Sequence, residues 1–286
     1  MRRLLTIAAL PAVLAVAVPV AGAEPVPAPA ALRVPPAPRV IDVPTARLQP
    51  SGRIYASGGA FVIPDRTPFV GVTLGLGGLA DVDLELTDQA AVCRDCSPDE
   101  PIPSSIALMT AAFKLGLEEG RLHQWQPAIA LGLRAPILDR TVDFADLPGI
   151  EHDIRAARMY LVASKHAGPV DLHLGGEIWD AESEVGGTTV QLHDEPLSRR
   201  LRPLAGLEWN PSIYPRTRLL ADIGWAPVFE DGQVELRWLF GWGVRYQAMS
   251  WASIELDVRH REEGGLADSE VTVRLNSVLD LWNRPR

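Results

Sequence analysis

The feature that most constrains this chain is alternation with a period of two. After the first 23 residues no stretch stays apolar for the ~18 residues that a membrane-spanning helix requires. Aliphatic side chains instead recur at every second position, in segments of roughly 9 to 13 residues. Val70, Val72, Leu74 and Leu76 interleave with Gly71, Thr73, Gly75 and Gly77. Beyond a tight Gly77-Gly78 turn, Ala80, Val82, Leu84 and Leu86 interleave with Asp81, Asp83, Glu85 and Thr87. The same pattern returns at Ile129, Leu131 and Leu133, and again at Val170, Leu172 and Leu174. Side chains two apart on a strand share a face, so one face is aliphatic and the other small or charged.

A soluble sandwich also alternates, so the number of strands and their connections decide between the two architectures. Twelve strands are predicted, near 53–62, 67–77, 79–87, 105–118, 126–135, 155–165, 169–179, 202–209, 217–226, 233–246, 251–260 and 269–279. The count is even, as in bacterial single-chain barrels. The connections sort by parity: those near 78, 119–125, 166–168, 210–216 and 247–250 are short. The longest, 88–104, 136–154 and 180–201, all fall on the other side. That asymmetry predicts an all-β fold, a transmembrane antiparallel β-barrel of about twelve strands with periplasmic termini.

The N-terminus agrees. Arg2 and Arg3 precede an apolar run from Leu4 to Val20, and Ala21-Gly22-Ala23 offers a small-residue cleavage site. This is the layout of a secretory signal peptide over 1–23, and Pro11 and Pro19 argue against a permanent anchor. Residues 24–40, rich in Pro and Ala, read as an extended periplasmic tether, because proline fixes φ and removes amide donors. The barrel is then expected over 41–286. The net charge of −9 argues against nucleic acid as a partner.

If the aliphatic face meets lipid, the opposite face lines the lumen. Its acids are Asp81, Asp83, Glu85, Glu118, Asp171, Glu177, Glu208, Asp222, Glu235, Glu255, Asp257 and Glu270. Its bases are Lys114, Arg134, Arg158, Arg202, Arg218, Arg237, Arg245, Arg259 and Arg274, with His173 among them. Near balance predicts a salt-bridged, narrow or occluded interior rather than a wide selective pore. Trp125, Trp209, Tyr246 and Trp251 at one set of strand ends, and Trp179 and Trp225 at the other, are expected to form aromatic girdles. Cys93 and Cys96 read as a disulfide within an outer loop, as isolated pairs in exported proteins usually are. Along its own strand His173 has Asp171 and Glu177 but no nearby serine, so no catalytic residue, metal site or cofactor is assigned.

Two further stretches carry a family resemblance. Val43-Pro44-Thr45-Ala46-Arg47 followed by Gly52 resembles the start of YjbH-like outer-membrane proteins. Trp242-Gly243-Val244-Arg245-Tyr246, Trp251, Ile254 to Arg259, Ala267-Asp268 and Val271 to Asn276 are similar to that family's closing strands. Residues 88–200 show no such likeness. The chain also departs from barrels that end on an aromatic residue, because Asn283-Arg284-Pro285-Arg286 follow Trp282. The resemblance implies a non-enzymatic barrel in an envelope-spanning assembly, for polysaccharide export or surface motility. Its partners would be outer-membrane lipid and periplasmic or outer-membrane proteins. A porin-like or polysaccharide-conducting channel, and a lipid-modifying enzyme, are the competing readings.

Overall fold

The computed structural model describes residues 37–63, 68–92, 104–137, 140–143, 151–185, 188–192, 196–230, 233–262 and 269–281. The proposed signal peptide, most of the tether, and Cys93 and Cys96 lie outside the described residues.

Every expected strand is present: β1 (Arg53–Ile63), β2 (Pro68–Leu76), β3 (Ala80–Val92), β4 (Ser104–Leu117), β5 (Ala128–Pro136), β7 (Glu151–Ala167), β8 (Val170–Val185), β10 (Leu201–Trp209), β11 (Thr217–Glu230), β12 (Gln233–Met249), β13 (Ala252–Arg261) and β14 (Glu270–Asp280). Each pairs antiparallel with its ring neighbours, and β1 returns to pair with β14, Ile54 facing Leu279. The twelve therefore close into a barrel, which removes every free sheet edge. Two short strands absent from the sequence reading, β6 (Arg140–Asp143) and β9 (Thr188–Gln191), extend β7 and β8, and a single helical turn, α1 (Leu197–Arg200), leads into β10. No described helix is long and apolar enough to cross a membrane.

Burial follows the alternation. In β2 exposed and buried residues alternate from Pro68 to Leu74, and β5 shows the same rhythm from Ala128 to Arg134. Leu84, Leu133, Leu174 and Leu275 are exposed on the outer face, while Asp81, Glu85, Arg134 and His173 are buried within. Gly77 and Gly78 both have φ near +70°, which lets β2 and β3 join through a turn whose twist matches the strands.

Both chain ends and the turns 77–79, 118–127, 168–169, 210–216 and 250–251 gather at one end, here called the terminal end. The connections after β1, β3, β5, β8, β11 and β13 gather at the other, the loop end. There the pattern inverts. Ile154, Ala156, Trp179 and Ala181 point inward with Leu108, Leu192, Phe229 and Leu236 into one apolar cluster. Arg155, Asp180 and Glu184 face outward. Apolar inside and charged outside is the arrangement of a water-exposed barrel, so these strand ends leave the apolar band.

The loop end is also pinched shut. Val228 and Phe229 of β11 pair in parallel with Ala91 and Val92 of β3. In the ring these two strands are diametrically opposed, with five strands between them on either side. Opposite walls therefore touch directly, and the apolar cluster packs beside the contact.

Candidate functional site

The lumen is occupied by the chain itself. Residues 37–50 enter it from the terminal end, turn, and return to β1. Val40 N–H donates to Val43 O at 2.9 Å and Thr45 N–H to Pro38 O at 2.9 Å, with Arg39 bridging to Pro44, so the segment is a small hairpin. The Thr45 hydroxyl closes its base by donating to Ala37 O at 2.9 Å. Val40, Ile41, Thr45, Ala46 and Gln49 are wholly buried. The expected boundary between tether and barrel at residues 40 and 41 thus falls inside the hairpin. Its sequence sign was weak: only Pro38 and Pro44 bracket a Val-Ile-Asp-Val turn.

Asp222 on β11 holds the tip. A single oxygen, Oδ2, accepts N–H bonds from Ile41 (3.0 Å), Asp42 (2.8 Å) and Val43 (2.9 Å). Three successive amides around one anion form a nest, and charged acceptors make the stronger hydrogen bonds. On the carbonyl side, Arg245 Nη2 donates to Val40 O at 2.7 Å and Arg274 Nη1 to Ile41 O at 3.4 Å. The returning limb is held by the Ser164 hydroxyl, which accepts Ala46 N–H at 2.8 Å. Asp81 accepts Gln49 N–H at 2.9 Å, and Lys114 Nζ donates to Arg47 O at 2.8 Å.

Around these contacts runs the expected charge network. Lys114 pairs with Asp81 at 2.9 Å, Arg134 with Glu85 at 2.5 Å and Arg158 with Glu177 at 3.3 Å. Arg245 pairs with Glu255 at 2.5 Å, and Arg274 with Glu255 at 2.9 Å and Asp257 at 3.8 Å. The hairpin's own charges join in. Arg39 meets Glu85, Arg47 meets Asp171 at 2.5 Å, and Asp42 meets Arg259 at 2.9 Å. Burial disfavours the Arg39 cation, but the Glu85 carboxylate beside it outweighs this and holds its pKa above the ordinary value. Asp83 lines a cavity of about 20 Å³ beside Arg39, room for little more than a water molecule.

Several expected placements are corrected. Trp179 belongs to no girdle: it is 2% exposed, sits in the loop-end cluster, and has Arg158 over its ring at 5.3 Å. It shares parity with His173 and Glu177 on β8, so it must face inward with them. Trp225 is half-buried against the same cluster and donates its indole N–H to Pro203 O at 2.8 Å. Trp125, Trp209, Tyr246 and Trp251 are exposed at the terminal end. Glu118 and Glu235 do not line the lumen; both are exposed, and Arg237 pairs with Glu235 at 3.3 Å toward the loop end.

The absence of a serine beside His173 is also overturned. Ser164 on β7 faces His173 across the strand pair, its Oγ 2.7 Å from Nδ1. Nε2 of His173 lies 3.7 Å from Glu208. The neighbour was invisible along the histidine's own strand because it arrives by pairing. The trio has the residue types of a nucleophile, a base and an orienting acid. Its Ser164 oxygen, however, is 2% exposed and already accepts the hairpin's Ala46 amide. Glu208 is drawn toward Arg218, at 2.6 Å, and lies 3.7 Å from both Arg47 and Arg245. In this arrangement the trio binds the hairpin.

No family model matches the chain, and no curated protein does. Among solved structures, OmpT, an outer membrane protein of Vibrio cholerae, aligns at 10% identity over 81% of this chain and 99% of that one, with a TM-score of 0.39. The Acinetobacter baumannii outer membrane protein Omp33 aligns at 9% identity over 82% and 99%, TM-score 0.37. Outer membrane phospholipase A from Escherichia coli aligns at 13% identity over 81% and 90%, TM-score 0.39. Likeness at this level carries no inference about activity, and the architecture stands on the strand pairing. The chain has the outer-membrane β-barrel fold: twelve antiparallel strands closed on themselves, apolar outside and charged within.

Proposed function

We propose that the protein is a non-conducting barrel of the outer membrane that serves as one component of an envelope-spanning assembly. The observation that carries this reading is the double closure of the lumen, by the hairpin from the terminal end and by the β3–β11 contact at the loop end. A passive or polysaccharide-conducting channel would need both removed. The exposed aliphatic band, with Trp209, Tyr246 and Trp251 at its terminal-end rim, is the surface that lipid would cover.

The YjbH-like resemblance favours a place in polysaccharide export or surface motility, and its residues meet around one feature. Val43 to Arg47 form the hairpin's returning limb. Arg245, from the second stretch, and Arg274, from the last, bind the carbonyls of its tip. Shared residues that converge on an internal hairpin fit a scaffold whose closed state is the functional one. Periplasmic partners would then meet the terminal end.

Conductance in planar bilayers tests the scaffold reading. The intact purified protein is expected to give no stable open steps, and sustained steps would overturn it. The lipid-modifying alternative rests on Ser164, His173 and Glu208. Covalent labelling of Ser164 by a fluorophosphonate probe, lost in Ser164→Ala, would favour the enzyme instead.

A further inference from the structure

The lumen wall recognises the hairpin chiefly through its main chain. Asp222 gathers the amides of residues 41, 42 and 43; Ser164 and Asp81 accept those of Ala46 and Gln49. Arg245, Arg274 and Lys114 donate to the carbonyls of Val40, Ile41 and Arg47. None of these contacts depends on which side chain the hairpin carries at the bonded position. Side chains are read by space and charge. At Gly206 an added Cβ would come within 2.8 Å of Val40, and at Gly241 within 3.1 Å of Ile41, so the wall is hollowed where the tip packs. Arg39 and Arg47 find Glu85 and Asp171.

A wall that binds amides, carbonyls, two β-branched side chains and two flanking cations is a peptide-binding site. The covalent link at residues 50–53 adds only a high effective concentration, on the order of millimolar for a short flexible connection. Because the opposite walls meet at the loop end, a ligand can enter only from the terminal end.

We propose that the lumen is a peptide-binding site and that residues 37–50 occupy it as an exchangeable ligand in cis. The ligand class is a turn-forming polypeptide segment carrying a basic residue followed by two β-branched residues, as in Arg39-Val40-Ile41. A partner presenting such a segment would take the hairpin's place. This deepens the scaffold reading and rests on it, since it gives the partner a chemistry and a side of approach.

The test uses the full-length protein with a protease site inserted between the exposed residues Pro50 and Ser51, cut after refolding in detergent micelles. A fluorescein-labelled synthetic peptide of residues 36–50 is then titrated against it by fluorescence anisotropy. A second preparation, lacking residues 37–50, offers an empty lumen without requiring the cut hairpin to leave. Saturable binding is expected, displaced by the unlabelled peptide but not by a scrambled one. Asp222→Asn should weaken it at least tenfold and Asp222→Ala further, with the heat-modifiable gel mobility of the barrel unchanged. No saturable binding in either preparation, equal binding of the scrambled peptide, or indifference to both Asp222 variants would overturn the proposal. Those results would leave the scaffold reading standing, because only open conductance steps of the intact protein remove it.

Discussion

Three amides converging on one carboxylate oxygen make Asp222 the residue on which the hairpin tip depends most. Replacing it with Ala strands those buried donors, and each unsatisfied buried group costs roughly 1–3 kcal/mol. Asp222→Ala is therefore expected to loosen the tip by about 3 kcal/mol, read as faster proteolysis near Val40 to Val43 with the barrel still folded. Ser164→Ala removes one acceptor and should cost about 1 kcal/mol in the same assay. If the hydroxyl were a working nucleophile, that variant would instead abolish an activity while leaving proteolysis unchanged. Asp222 was legible in the sequence as an inward carboxylate. Its partners were not, because they lie some 180 residues away along the chain.

At the scale of elements, β8 shows how a single strand crosses two environments. Its outward side chains run Leu172, Leu174 and Ile178, then Asp180 and Glu184, while the inward series passes from Asp171, His173 and Glu177 to Trp179 and Ala181. The polarity of the two faces exchanges near residue 179. A cation on the lipid face near mid-membrane costs about 2–4 kcal/mol, against about 0–1 near the interface. Leu174→Arg should therefore lower unfolding free energy in liposomes by several times more than Asp180→Arg, and equal effects would contradict this placement of the band. Trp179→Ala opens a hole in the loop-end cluster and is expected to cost about 3–5 kcal/mol. The alternation was readable throughout. The exchange of polarity made the upper half of β8 resemble loop to a reading that sought an aliphatic outer face.

For the whole molecule, the two closures act in series. Deleting residues 37–50 empties the lumen from the terminal end but leaves β3 paired with β11. That variant should still give no stable conductance steps in planar bilayers. Steps should emerge only when the pinch is also relieved, for example by adding Phe229→Asp, which places a charge inside the buried contact. Open steps from the hairpin deletion alone would show that the hairpin is the sole barrier.

The sequence by itself determined the strand number, the parity of the connections and the face each side chain occupies, because period-two alternation is a local property. It also determined the near balance of charge that the lumen carries. Only the tertiary structure decided what fills that lumen. Which residues meet across it depends on closure of the ring, on a hairpin inserted from outside the strand pattern, and on a contact between opposite walls. Hydrogen bonds from main chain to distant side chains leave no period in a sequence, so Asp222, Ser164 and Arg245 become one site only when the barrel closes around residues 37–50.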